Sequence, residues 1–196
     1  MQEYKKVIDA LKANGIESFF VENKEEAKKK VLEIIPKKAE VFTMSSVTLT
    51  ETGIKDVIDE SDEYESVRKK FSQMDPKSQK WEMKKMGGSP DWAIGSVHAL
   101  TYDGKVLIAS NTGSQLPAYV YGANHVVWIV GIQKLVNDVN GGIKRIYDYV
   151  LPLESVRLNK AHNINTGSFV SKLLIINREI QKDRAYLILV NEKLGF

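Results

Sequence analysis

Ala109-Ser110-Asn111-Thr112-Gly113-Ser114-Gln115 begins at the end of a strand candidate, Lys105 to Ala109, and runs into a short helix expected from about Gln115 to Tyr121. A strand that ends in a polar, glycine-containing loop and passes into a short helix is the building unit of α/β sheets. Ser114 is placed to cap that helix, Pro117 falls in its first turn, and Gly122 suits a left-handed end. The loop's hydroxyls, amides and backbone N–H groups have the makeup of a cradle for a phosphate or carboxylate. A tight, capped strand–helix turn would have the same composition.

Upstream, Gly95 to Tyr102 and Lys105 to Ala109 read as strands joined by Asp103-Gly104, a hairpin signal. Asp103 and Gly104 are then turn residues, and His98, Leu100 and Tyr102 share one strand face. Downstream, Val126 to Val130 is continuously apolar, as suits a strand covered on both faces. Gln133 and Lys134 follow, then an amphipathic helix from Asn137 or Asp138 through Ile146 and Tyr147. Pro152 opens another helix, and Leu173 to Ile176 and Tyr186 to Val190 are further strands.

The first forty residues read helix, strand, helix, strand. Val7, Ile8 and Leu11 repeat at helical spacing before Gly15, Ile16 to Val21 is extended, Ala27 to Ile35 is helical, and Ala39 to Thr43 is extended. Then come Ser45, Ser46 and Thr48, with Thr48 and Glu51 at capping-box spacing. A strand's C-terminal end thus meets a helix start, which is where open α/β sheets bind ligands. Residues 55–90 are the most polar stretch and predict two helices, near Glu63 to Gln73 and Pro76 to Met86. They form either a cap beside the site or an exposed excursion. No repeat or linker divides the chain, so a single domain over 1–196 is expected.

At 196 residues, 43% of them apolar, the chain can bury a substantial core without a disulfide or metal. It has no cysteine, which excludes thiolate nucleophiles, cysteine-ligated zinc and iron–sulfur clusters within it. Apolar runs are too short for a membrane helix and Met1 to Lys6 lacks a signal-peptide core, so a cytoplasmic protein is expected. The net charge of +3 is scattered. Lys28 to Lys30 lie among glutamates, as on a solvated helix face, and no one-signed basic stripe suggests nucleic acid. No cofactor fingerprint or metal-ligand spacing appears.

Several segments together resemble the LUD (lactate utilisation) domain family. They are His98 to Gly104, Ala109 to Pro117, Val130 to Val136, Tyr149 to Glu154 and Leu189 to Phe196, with Ser45 to Glu51 extending the match toward the N-terminus. The resemblance implies a Rossmann-like α/β sheet like that of the glucosamine-phosphate deaminase, ribose-phosphate isomerase and CoA-transferase superfamily, with a helical excursion near 55–90. The family's best-known members are the B and C proteins of bacterial L-lactate oxidation. Lacking cysteine, this chain is similar to the smaller, cluster-free C kind.

The expected site joins three segments. Ser45, Ser46, Thr48, Ser110, Asn111, Thr112, Gly113, Ser114, Gln115 and Gln133 are the candidate ligand-binding residues. Glu51, His98 and Lys134 are the candidate catalytic ones: a carboxylate for acid–base work if it points inward, an imidazole that titrates near neutral pH, and a cation for an anionic group. Each has a structural alternative: a cap, a hydrogen-bonded histidine, a surface lysine. His125 and His162 read as structural. The expected ligand is a small anionic or nucleotide-like metabolite, in a role in lactate or related organic-acid utilisation. Iron–sulfur oxidoreductase subunits and a second copy of the chain are the expected protein partners, with no metal, nucleic acid or membrane. A non-catalytic assembly subunit and an isomerase- or CoA-transferase-like enzyme are the competing readings.

Overall fold

The computed structural model describes residues 2–196, the His162 side chain excepted. Its first elements are α1 (Gln2–Ala13), β1 (Ile16–Val21), α2 (Lys24–Ile34) and β2 (Glu40–Thr43), in the order that the periodicity predicts. α3 (Val47–Glu51), α4 (Ile54–Glu60), β3 (Glu65–Ser66), α5 (Val67–Ser72) and α6 (Lys80–Gly88) follow. Next come β4 (Trp92–Gly95), β5 (Ala99–Thr101), β6 (Val106–Ser110), β7 (His125–Gly131) and β8 (Leu135–Val136). α7 (Val139–Arg145) runs through a π-helical turn into α8 (Leu151–His162), and β9 (Lys172–Ile176) and β10 (Ala185–Val190) close the fold.

The strands form two sheets. Six parallel strands lie in the order β1-β10-β7-β4-β2-β3, which is the Rossmann-like sheet. β7 is central and fully buried from Val126 to Val130. Its side chains alternate between the two faces. Val126, Trp128 and Val130 join Val7, Leu11 and Val106 in one core, while Val127 and Ile129 pack with Val31, Leu49 and Ile58 in the other. Each such side chain stabilises the fold by roughly 1.5–3 kcal/mol through removal from water.

The second sheet, β8-β5-β6-β9, covers the face of the first that carries Trp128. Its β5–β6 hairpin turns at Asp103-Gly104, with Gly104 at φ +81°. The run Gly95 to Tyr102 is therefore not one strand. β4 belongs to the parallel sheet, the chain turns at Ser96 to His98, and β5 continues in the other sheet. All four residues of β4 are buried, so alternation could not reveal where the chain changes sheets.

Two helix expectations also shift. In place of the helix expected over about Gln115 to Tyr121, Ser114 to Pro117 lead into a π-helical turn, Ala118–Gly122. Gly122 is not left-handed there; a Cβ on it would lie 1.8 Å from the Gly88 carbonyl oxygen. The helix expected near Glu63 starts at Val67 because Glu65 and Ser66 pair with β2, and Ser66 Oγ then accepts the Lys69 N–H.

Buried Arg184 anchors the π-helical turn. Its guanidinium donates to the carbonyls of Ala118, Tyr119 and Ala123 and pairs with Glu179 at 2.6 Å. Among the described residues no helix is long and apolar enough to cross a membrane.

Candidate functional site

A cavity of about 420 Å³ opens at the C-terminal ends of β2, β4 and β7, facing the end of β6 and the helix α8. Ser45, Ser46, Thr48, His98, Ser110, Asn111, Thr112, Ser114, Gln115 and Lys134 line it. Segments distant in sequence thus meet at one place. Gly113, Gln133 and Glu51 are not among the lining residues.

Lys134 forms the floor and is 2% exposed. Its Nζ lies 3.1 Å from Thr48 Oγ1, 3.0 Å from Ser96 Oγ and 3.1 Å from the Val97 carbonyl. Thr48 Oγ1 donates its own proton to Leu194 O, and Ser96 Oγ donates to Ile129 O at 2.6 Å. Both hydroxyls therefore offer Lys134 only lone pairs, and three acceptors match the three N–H bonds of an ammonium. Burial acts against that charge and pushes the Lys134 pKa down to about 7, helped by the nearby Arg145 cation and opposed by the Glu51 carboxylate.

These bonds also explain the start of α3. Thr48 is not its cap, because its hydroxyl is committed to Leu194 and Lys134. Ser46 takes that place and accepts the Leu49 N–H. Glu51 is exposed, and its Oε2 accepts the Gly195 N–H at 2.7 Å. It holds the tail of the chain and does not point into the cavity, so it does not offer the inward carboxylate considered from sequence. Gln133 works on the same tail, donating to Leu194 O and Gly195 O and accepting the Leu194 N–H. Together they seat Gly195 and Phe196 on the cavity wall.

His98 lines the cavity with its Nδ1 accepting the Ala109 N–H at 3.1 Å. Burial, then the charges of Lys134 and Arg145, push its pKa down to about 3. The ring is neutral near pH 7 with its proton on Nε2, so it presents a donor there and not a base. His125, outside the cavity, bonds the Asp183 carbonyl and stacks on Trp92. The His162 side chain lies outside the described residues.

The loop after β6 bonds to itself. Ser110 Oγ accepts the Gly113 N–H at 2.8 Å and donates to Gln115 Oε1 at 3.0 Å. Ser114 caps no helix; its hydroxyl accepts from Thr112. Asn111 is exposed and its side chain has no protein partner among the described residues.

Four cavity residues had no local signal. Arg68, on α5, donates from Nε to Thr43 O at 2.8 Å and from Nη2 to Ser45 Oγ at 3.0 Å, and lies over the Phe42 ring. Among the described residues no carboxylate comes within 4.0 Å of it. Burial lowers its pKa, opposed by Asp59. Tyr119, 1% exposed, reaches the cavity because Gly95 leaves room; a Cβ there would lie 1.9 Å from its hydroxyl. Arg157 and Glu154, on α8, form a two-pronged ion pair at 2.6 Å. The polar excursion is thus a partial wall of the cavity, through Arg68 and Phe71 of α5. Among the described residues no cluster of three His, Asp or Glu is arranged to hold a metal ion.

Residues 4–190 match the family pattern described as the LUD domain. No curated protein matches the chain. Among solved structures it is similar to a DUF162 family protein from Deinococcus radiodurans, at 10% identity and a TM-score of 0.60 over 97% of each chain. A ribose 5-phosphate isomerase from Plasmodium falciparum aligns with 68% of this chain and 66% of its own, at 12% identity and a TM-score of 0.36. The first likeness shows the fold alone.

Proposed function

The chain belongs to the LUD domain family, and on that premise we propose that it binds a small anionic metabolite in the cavity at the strand ends, serving lactate or related organic-acid utilisation. The observation that carries this is Arg68. Two of its N–H groups are engaged; of the five a guanidinium has, three are left for a ligand. A half-buried cation with no carboxylate in direct contact is costly, and a phosphate or carboxylate would supply that contact in bidentate fashion. Lys134 beneath adds positive potential, and Ser45, Ser46 and Asn111 add neutral donors.

Thermal unfolding with a panel of phosphate, CoA, nucleotide and hydroxy-acid compounds tests this. A bound compound at about 100 times its dissociation constant adds roughly 2.7 kcal/mol of stability. Arg68→Met keeps the packing on Phe42 and loses that gain. A panel in which no compound shifts the wild type more than the variant would falsify the proposal.

A catalytic reading, isomerase- or CoA-transferase-like, is favoured by one observation, the near-neutral pKa of Lys134. Turnover of a candidate substrate that survives both Lys134→Met and His98→Asn counts against it.

A further inference from the structure

We infer, resting on the anion site just described, that the cavity is built for an anion carrying an aromatic body and not for a free three-carbon acid. The first reason is size. A three-carbon hydroxy acid takes the place of about four waters, at ~30 Å³ each, in a cavity of about 420 Å³. Lactate alone would leave most of that space unfilled. Cavities of roughly 300–1,000 Å³ are those that bury ligands several times larger.

The second reason is the distribution of charge. Arg68 is the lining cation whose remaining donors face no carboxylate within 4.0 Å among the described residues. Lys134 is committed to three acceptors. Arg157 is neutralised by Glu154 in the two-pronged pair. The cavity therefore has one free cationic pole, at the β2 end, and calls for one anionic head.

The third reason is the wall formed by α8 and the segment after it. There Val150, Leu151, Leu158, Phe169 and Val170 give apolar lining around the mutually neutralised Glu154–Arg157 pair. Phe169 is 60% exposed, while its backbone is tied down next door, where Ser168 N–H donates to Ser155 Oγ at 2.9 Å. No other ring of the protein stacks on it among the described residues. An exposed phenyl ring at a cavity edge, next to a backbone position that is tied down, offers a stacking platform. The head sits on Arg68 and Ser45, and the ring of the ligand covers Phe169.

Calorimetric titration of the full chain with inorganic phosphate, L-lactate and phenyl phosphate tests the inference. Phenyl phosphate is expected to bind at least about tenfold more tightly than the other two. Phe169→Ala is expected to erase that advantage and leave phosphate binding unchanged, while Arg68→Met weakens phenyl phosphate and phosphate together. Phosphate or lactate binding as tightly as phenyl phosphate, in an Arg68-dependent way, overturns the aromatic-body inference and leaves the anion site standing. Equal affinity of wild type and Phe169→Ala for phenyl phosphate also overturns it. Binding of none of the three, in wild type or variants, removes the anion site itself.

Discussion

On the sheet side of the cavity, Lys134, Thr48 and Ser96 are buried or half-buried, and each is tied by hydrogen bonds to strands or to the tail. On the α8 side, Glu154, Arg157 and Phe169 are half-buried or exposed, and their contacts are local. The first wall is an extension of the hydrophobic core: moving one group disturbs strands on either side, because interiors are close-packed. The second wall is a surface that happens to face inward, and its side chains can change with little effect on the fold. Such a division places rigid charge on one side and adaptable shape on the other. Recognition of the anionic head then belongs to the core wall and selectivity for the body to the surface wall.

The comparison breaks first at Gly95. Gly95→Ala drives a Cβ into the Tyr119 hydroxyl and against Met44. Overpacking of this kind destabilises by about 1–3 kcal/mol, which urea unfolding would read. Adding Tyr119→Phe removes the clashing oxygen and is expected to recover part of the loss. A double variant no more stable than Gly95→Ala would place the strain elsewhere.

His98 gives a smaller effect, with a sign set by its environment. Unfolded, the imidazole takes up a proton near pH 6.5; folded, it resists until about 3. Between those values the unfolded state binds more protons, so this group's contribution to stability is lost as pH falls from 6.5 toward 3. His98→Asn keeps an acceptor for the Ala109 N–H and cannot titrate. Its stability should fall less steeply than that of the wild type across this window. Parallel profiles would mean that the ring is hydrated when folded.

The smallest change is expected on the surface wall. Arg157→Gln breaks the pair with Glu154, whose side chains are 40% and 30% exposed. Exposed pairs contribute about 0–1 kcal/mol, so the midpoint of unfolding should barely move. A loss comparable to that of Gly95→Ala would make the two walls energetically alike.

Much of this layout was legible in the residues. The alternation of α1, β1, α2 and β2 follows from side-chain spacing, and the buried β7 from an apolar run too continuous for a one-sided strand. Asp103-Gly104 announced its hairpin because few residues tolerate a positive φ. Ser45, Ser46 and the Ser110 loop were readable as polar loops at element ends. The split between β4 and β5 was not, since both pieces are apolar and only pairing partners tell them apart. Arg68 carried no local mark either, being one cation among several in a polar helix. Glu51 misled for the same reason: its capping-box spacing is real, but the backbone N–H it reaches belongs to Gly195, 144 positions away.

By itself the sequence determined the type of most helices and strands, which faces are apolar, and that hydroxyl-rich loops follow certain strands. Those properties depend on neighbours within a few residues, where steric preference and hydrophobic period act. Only the tertiary structure decided that Lys134 would meet Thr48, 86 positions away, that α5 would turn Arg68 inward, and that Gly95 would make room for Tyr119. Which apolar faces cover one another is a choice among distant partners, made when the whole core closes, and it also settles which polar groups are left facing the cavity.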